Sequence, residues 1–330
     1  MKYCFNLRFI IMILKQIPED FIVHEIPLFE PSGKGGYAIC ELTKINYNTE
    51  DALKIISSKL NVLRKNINFA GTKDKVAVTS QRISIKSISK DRIESFLHEG
   101  LSLNFLGFHD EPLSLGRLEG NKFKITIRGL SGFEKINSNK KFINYFHNQR
   151  FQKNNVEIGK LLLKKEYKLA VDLLKTDFSF KKNILRHLEK SVNDYVGALK
   201  TIPKKILTLY IHAYQSDLWN RAVKKLIELG KLPGEVPIVG FSNPVADDIT
   251  LGVLNDIMVF EGISKNDFLN RDIPYLCIEG TSRNTVVCVA DLVIGDFLVD
   301  ELNLGKKKLI LEFSLRKGEY ATSVVEQLFS

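Results

Sequence analysis

Hydrophobic and polar positions alternate along GNKFKITIRGL, residues 120–130. Phe123, Ile125 and Ile127 fall on one face, and Lys122, Lys124, Thr126 and Arg128 on the other. A period of two is that of a half-buried β-strand, and Gly120 and Gly129 punctuate its ends. Ile83 and Ile85 alternate with polar residues in the same way, and Ile67 and Phe69 lead into Gly71. The polar stretch Thr72–Ser80 is therefore expected to be a loop held between two strands. The first residues, through the apolar run Phe9–Leu14, read as a strand with a ragged extension, Met12 being an alternative start.

The period lengthens elsewhere. Leu53, Ile56 and Leu60 share the face of a helix over about 50–60, which Asn48 or Thr49 can cap and whose positive end Glu50 and Asp51 favour. After Gly132 the chain becomes lysine-rich with helical spacing, giving helices over about 156–165, 167–175 and 181–199. A longer helix over about 206–229 carries Leu209, Ala213, Leu218 and Ala222 as its apolar stripe, and Gly230 is placed to stop it. Strand-like apolar runs are expected through 236–299. The last segment, KLILEFSLRKGEYATSVVEQLF, reads as strand, turn at Lys317-Gly318 and short helix. The order of elements predicts an α+β sheet core, a helical insertion, and a chain end that returns to the core.

With 330 residues, 44% of them hydrophobic, the chain can bury a sizeable core and is long for one domain. Its net charge of +10 suits a polyanionic partner. That charge is uneven. Residues 131–205 hold 17 Lys/Arg against 7 Asp/Glu, whereas residues 206–330 hold 12 against 17. Charge alone leaves RNA, DNA, an anionic lipid surface or merely solvated helix faces open. The cysteines, Cys4, Cys40, Cys277 and Cys288, form no C-x-x-C pair, so reduced core thiols are expected rather than a zinc site. The run Phe9–Leu14 is short for a signal peptide and no other segment has the length of a membrane span, which predicts a cytoplasmic location and no membrane partner.

Candidate chemistry lies in Ala70-Gly71-Thr72-Lys73-Asp74-Lys75. Gly71 permits a tight turn. Lys73 and Lys75 flank Asp74 and favour its charged carboxylate. A carboxylate ringed by cations can act as nucleophile or base on a polyanionic substrate. It can equally be a plain surface turn, and spacing by itself favours the turn.

The run Gly71-Thr72-Lys73-Asp74-Lys75, continuing through Ala77 and Thr79 to Gln81, resembles the signature G-x-K-D-[KR]-x-A-x-T-x-Q of the TruD family of tRNA pseudouridine synthases. Other blocks are similar to that family in the same order: Pro18-Glu19-Asp20-Phe21 with Val23 and Glu25, Gly120-Asn121-Lys122-Phe123, and Asn144-Tyr145-Phe146-His147-Asn148-Gln149-Arg150-Phe151. Ala213-Tyr214-Gln215-Ser216 and the segment from Phe313 to Thr322 complete six ordered blocks.

The resemblance implies a pseudouridine synthase core with a mixed, largely antiparallel sheet over 1–143 and 288–330, and an inserted TRUD domain over 144–287. It implies isomerisation of a uridine, U13 in the D-arm region of tRNA, without metal or organic cofactor. Asp74 matches the catalytic aspartate, Lys15 the lysine that pairs with it, and Phe123 the aromatic that stacks on the target base. Asn121 is expected to bond the uracil edge or the Asp74 loop, while Lys73, Lys75 and Gln81 support the loop or the RNA. A monomer or weak homodimer is expected. Two departures fall at the domain junction, where His147 and Gln152 stand in place of glycines. The rival readings are a tRNA-binding protein or folding chaperone without turnover, and an unrelated RNA methyltransferase or nuclease.

Overall fold

The computed structural model describes residues 3–7, 10–152, 154–242 and 244–329. The side chains of residues 3–7, 10, 11, 148 and 149, Cys4 among them, lie outside that description. Two compact units emerge, Met1–Phe142 with Cys288–Ser330, and Ile143–Val287. The fold class is α+β, as the order of elements predicts.

The first unit opens with β1 (Tyr3–Leu7), β2 (Ile10–Leu14), β3 (Phe21–Pro27), β4 (Tyr37–Ile45), helix α1 (Thr49–Lys59), β5 (Ile67–Phe69), β6 (Val78–Lys86), α2 (Lys90–Glu94), β7 (Leu101–His109) and β8 (Leu118–Leu130). The strands lie in the order β1-β2-β8-β3-β6-β4-β7. The β3–β6 pair is parallel and its neighbours are antiparallel, so the sheet is mixed. Asn48 caps α1, its side chain accepting from the Asp51 N–H at 2.8 Å. The helix then buries Ala52, Leu53 and Ile56 against Cys40, Leu42, Ile83 and Ile85. Removing that apolar area from water stabilises the pairing of helix and sheet.

The chain passes through β9 (Lys141–Ile143) into the second unit, formed of α3 (Asn155–Leu163), α4 (Tyr167–Leu174), α5 (Phe178–Lys190), α6 (Tyr195–Lys200), α7 (Lys204–Glu228), β10 (Glu235–Ile238), α8 (Asp248–Glu261), β11 (Thr281–Asn284) and β12 (Val286–Cys288). Helix α7 is its spine. Tyr214, Leu218 and Trp219 are buried, and the Trp219 indole donates to the Val236 carbonyl at 3.0 Å.

Three expectations fail in this unit, and a fourth fails across both. The helix expected over 181–199 is broken between α5 and α6, where Asn193 takes a φ of 65° and Asp194 caps the next helix by accepting from the Gly197 N–H. Leu209 is not part of the α7 stripe: it is 46% exposed, while Leu207, Tyr210 and Ile211 point inward. Residues 248–261 are helical rather than strand-like. Asp247 caps α8 and Gly262 ends it at a φ of 64°, and these caps decide what an unbroken apolar run leaves open. The thiols differ as well. Cys40 is buried, Cys277 half-buried and Cys288 exposed, so of these three only Cys40, whose thiol burial pushes up to about 12, is an inert core group.

The return segment gives β13 (Ala290–Ile294), β14 (Leu298–Val299), β15 (Lys307–Arg316) and α9 (Ala321–Leu328). β15 pairs with β8 over its whole length. β8 is longer than expected, and Gly120 and Gly129 lie inside it. At Gly120 a Cβ would meet the Leu315 carbonyl oxygen at 2.1 Å, so only glycine lets the two strands approach.

Arg128 also departs from expectation. It is buried, not solvent-facing, and donates to Asp20 at 2.8 Å, Asp300 at 2.9 Å and Glu301 at 3.0 Å. Burial works against its charge, but Glu301, Asp20 and Asp300 together hold the guanidinium above its ordinary pKa. Asp300 is further bonded by the Gly129 N–H and by Asn303.

Candidate active site

Residues 70–77 form no regular element, yet their backbone is fixed at many points. The Gly116 N–H donates to the Ala70 carbonyl at 2.7 Å, and the Gln81 amide donates to the Gly71 carbonyl at 2.8 Å. Thr49, the first residue of α1, donates to the Gln81 side-chain oxygen and accepts from the Lys73 N–H at 2.9 Å. The Asn46 N–H closes the loop on the Ala77 carbonyl. Gln81 is 1% exposed and so braces the loop from inside β6. Gly71 itself has no positive φ, and a Cβ there would make only ordinary contacts at 3.8 Å or more; nothing in the structure requires glycine there.

This loop presents Asp74 at the surface with its side chain 44% exposed. The Lys15 ammonium, 4% exposed, donates to its Oδ2 at 2.7 Å. Lys15 follows β2 with a φ of 57°, a left-handed conformation that costs a lysine free energy and persists only where neighbours enforce it. The enforcing contacts are at hand. Asn303 donates to Gln16, and the Ile17 N–H donates to Asp20, which Arg128 holds on its other oxygen. The buried ion cluster thus pins the short segment that aims Lys15.

Lys15 Nζ also lies 3.9 Å above the centre of the Phe21 ring. Phe21 meets Phe123 edge to face at 6.0 Å, and Phe123 lies 5.5 Å from Phe313. Phe123 is 8% exposed. Asn121, two residues earlier, shares its face of β8, and the Asn121 Oδ1 is a buried acceptor without a hydrogen-bond partner among the described residues. Such a group costs free energy unless something pairs with it.

The two flanking lysines differ. Lys73 is turned inward in a buried ion pair with Glu25 at 2.7 Å, its side chain 5% exposed, so it fixes the loop from beneath. Lys75 is exposed. Glu25 stands opposite Asn121 in the β3–β8 pairing and also accepts from the Arg82 N–H.

One residue escaped the sequence reading. Lys44 is 0% exposed, and its ammonium donates to the carbonyls of Tyr47 and Asp74 at 2.6 Å each. A signal existed: Ala38, Cys40, Leu42 and Lys44 occupy one face of β4, so the lysine continues an inward row. Burial pushes its ammonium down to about 8, against the attraction of Asp74 and with the repulsion of Lys73. The unfolded chain therefore holds that proton more tightly, and stability rises as pH climbs from 8 towards 10.5. We expect wild type to gain on the order of 2 kcal/mol over Lys44→Met between pH 7 and 9.5. Denaturant midpoints of both proteins at the two pH values measure it, and parallel changes would refute it.

The arrangement offers a solvent-reachable carboxylate paired with a buried ammonium, on a loop whose backbone is anchored at several points. That is the equipment of a nucleophile or general base. A family model described as tRNA pseudouridine synthase D (TruD) matches residues 1–179, 172–235 and 226–328. The chain is 29% identical to the tRNA pseudouridine synthase D of Aquifex aeolicus, across 96% of this chain and 97% of that protein. It is 30% identical to a Methanocaldococcus jannaschii protein described as a probable tRNA pseudouridine synthase D 2, across 99% of this chain and 95% of that one. The crystal structure of a candidate tRNA pseudouridine synthase D from Methanosarcina mazei superposes with a TM-score of 0.75 at 26% identity, covering 96% of this chain and 93% of that one. A likeness that runs through nearly the whole sequence and extends to the fold makes this chain a member of the tRNA pseudouridine synthase D (TruD) family.

Proposed function

We propose that this chain isomerises uridine 13, in the D-arm region of tRNA, to pseudouridine, and that Asp74 acts at the target ribose. In this reaction the uracil leaves C1′, rotates and rejoins through C5. Asp74 either traps C1′ covalently or removes the 2′ proton to give a glycal. Nothing is oxidised, reduced or hydrolysed, so the reaction balances without metal or organic cofactor. The observation that carries the reading is the contact between the buried Lys15 ammonium and the exposed Asp74 carboxylate. Lys15 donates to the carboxylate and holds it aimed.

The target base must leave its stack, at a cost of a few kcal/mol. Phe123 offers it a ring face, and the unpartnered Asn121 Oδ1 offers an acceptor for the uracil N3–H. Lys75 meets a phosphate, while Lys73 and Gln81 hold the loop. In this reading residues 1–143 and 288–330 are the catalytic core and 144–287 the inserted TRUD domain, and the protein works in the cytoplasm as a monomer or weak homodimer.

The test is incubation with unmodified tRNA transcripts in EDTA, followed by pseudouridine mapping at nucleotide resolution. Conversion confined to position 13 is expected. Absence of product, product elsewhere, or dependence on added Mg²⁺ or S-adenosylmethionine would refute the reading.

A further inference from the structure

Within the second unit, a cavity of about 670 Å³ is lined by Arg150, Asn155, Lys204, Lys205, Thr208 and His212, with the exposed Leu209 beside them. Four of these side chains are basic and none is acidic. Arg150 is held in place, its guanidinium 4.9 Å from the centre of the Phe146 ring and its carbonyl accepting from Asn155. Burial, and then the charge of Arg150, lower the pKa of His212. Lys204 and Lys205 are exposed, and among the described residues neither has a carboxylate within ion-pair distance. Their charges oppose the dipole of α7, in whose first turn they sit, so helix stability does not account for them. Like charges gathered around a hollow cost free energy until an anion enters.

We propose that this cavity is a subsite for backbone phosphates of the substrate RNA, separate from the residues around Asp74. The proposal rests on the reading of the substrate as tRNA. It also gives a use to the most basic stretch of the chain, residues 131–205, which contributes Arg150, Lys204 and Lys205. The donor set fits a phosphodiester: ammonium groups as point charges, a planar guanidinium, and the Asn155 amide and Thr208 hydroxyl for the remaining oxygens. Leu209 leaves an apolar ledge for a ribose.

The test uses the full chain and measures affinity for an unmodified tRNA transcript between 50 and 200 mM salt. The double variant Lys204→Ala/Lys205→Ala should bind about tenfold more weakly at 100 mM salt, with a log K against log salt slope shallower by about 2. The apparent KM for tRNA should rise in step. The variant Lys204→Arg/Lys205→Arg keeps the charges and should keep the affinity. Unchanged affinity and slope in the alanine pair, or equal loss in the arginine pair, overturns the proposal. Pseudouridine formation by wild type is scored separately. If it is absent while the alanine pair still loses affinity, the subsite stands and the assignment of the reaction falls.

Discussion

Asp74→Asn should stop pseudouridine formation, lowering turnover by at least about a thousandfold, while affinity for tRNA should stay within about threefold of wild type. The substitution keeps the size of the side chain and removes only the charge and the proton-accepting oxygen. The loop should not collapse, because its backbone is anchored through Ala70, Gly71, Lys73 and Ala77 as well as through Asp74 itself. Lys15 loses its ion pair but can still donate to the amide oxygen. Single-turnover assays with excess protein separate chemistry from binding. If product persists at more than about a tenth of the wild-type rate, Asp74 is not the reacting carboxylate. If binding collapses instead, its role lies in holding RNA.

Arg128→Met should unfold the first unit at markedly lower temperature, with a loss of about 3–5 kcal/mol. The methionine fills much the same space, yet it strands Asp20 and Asp300, which are 1% and 3% exposed, without their counter-ion. Two buried carboxylates must then be neutralised or hydrated. Glu301, whose side chain is 52% exposed, can turn to water, so Glu301→Gln should do little. Acid acts on the same cluster. Burial opposes the charge of Asp300, but the Gly129 N–H, Asn303 and Arg128 hold its carboxyl below the usual carboxylate range. Its contribution is present above that range and is lost as pH falls through the lower, folded value. Hydrogen exchange on β8 and β15 isolates the unit concerned, since a chain of two units need not unfold in one step. An unchanged unfolding temperature for Arg128→Met would show that the cluster is not what holds these elements. A second readout is available, because Arg128 fixes Asp20 and so the approach of Lys15; the variant should also lose activity below its unfolding temperature.

Much of the site could be read from sequence because period and punctuation report burial directly. The alternation around Ile83 and Ile125 gave the two strands that bracket the loop, and the ordered blocks of resemblance brought Lys15, Asp74 and Phe123 onto one page. What escaped depends on distance. Arg128 meets partners 108 and 172 residues away, so no local window could distinguish it from Lys122 or Lys124 on its strand. Lys44 was hidden by its own charge: a lysine is assumed to be outside, although its place in the inward row of β4 said otherwise. Helix α8 was lost for a third reason. An apolar run carries little periodic contrast, and only its caps distinguish helix from strand.

The pairing of β8 with β15 also bears on how the protein is made. Ile127 and Leu309 are direct partners, so β8 leaves the ribosome well before the strand that covers its edge. At about 5–20 residues per second, a separation of roughly 180 residues leaves that edge open for something like ten to forty seconds. During this interval the inserted unit can complete a core of its own, while β8 presents unpaired amides and apolar side chains to whatever is near. The first unit is thus finished last, and the yield of this protein in a cell should depend on chaperones that shield one strand during that wait.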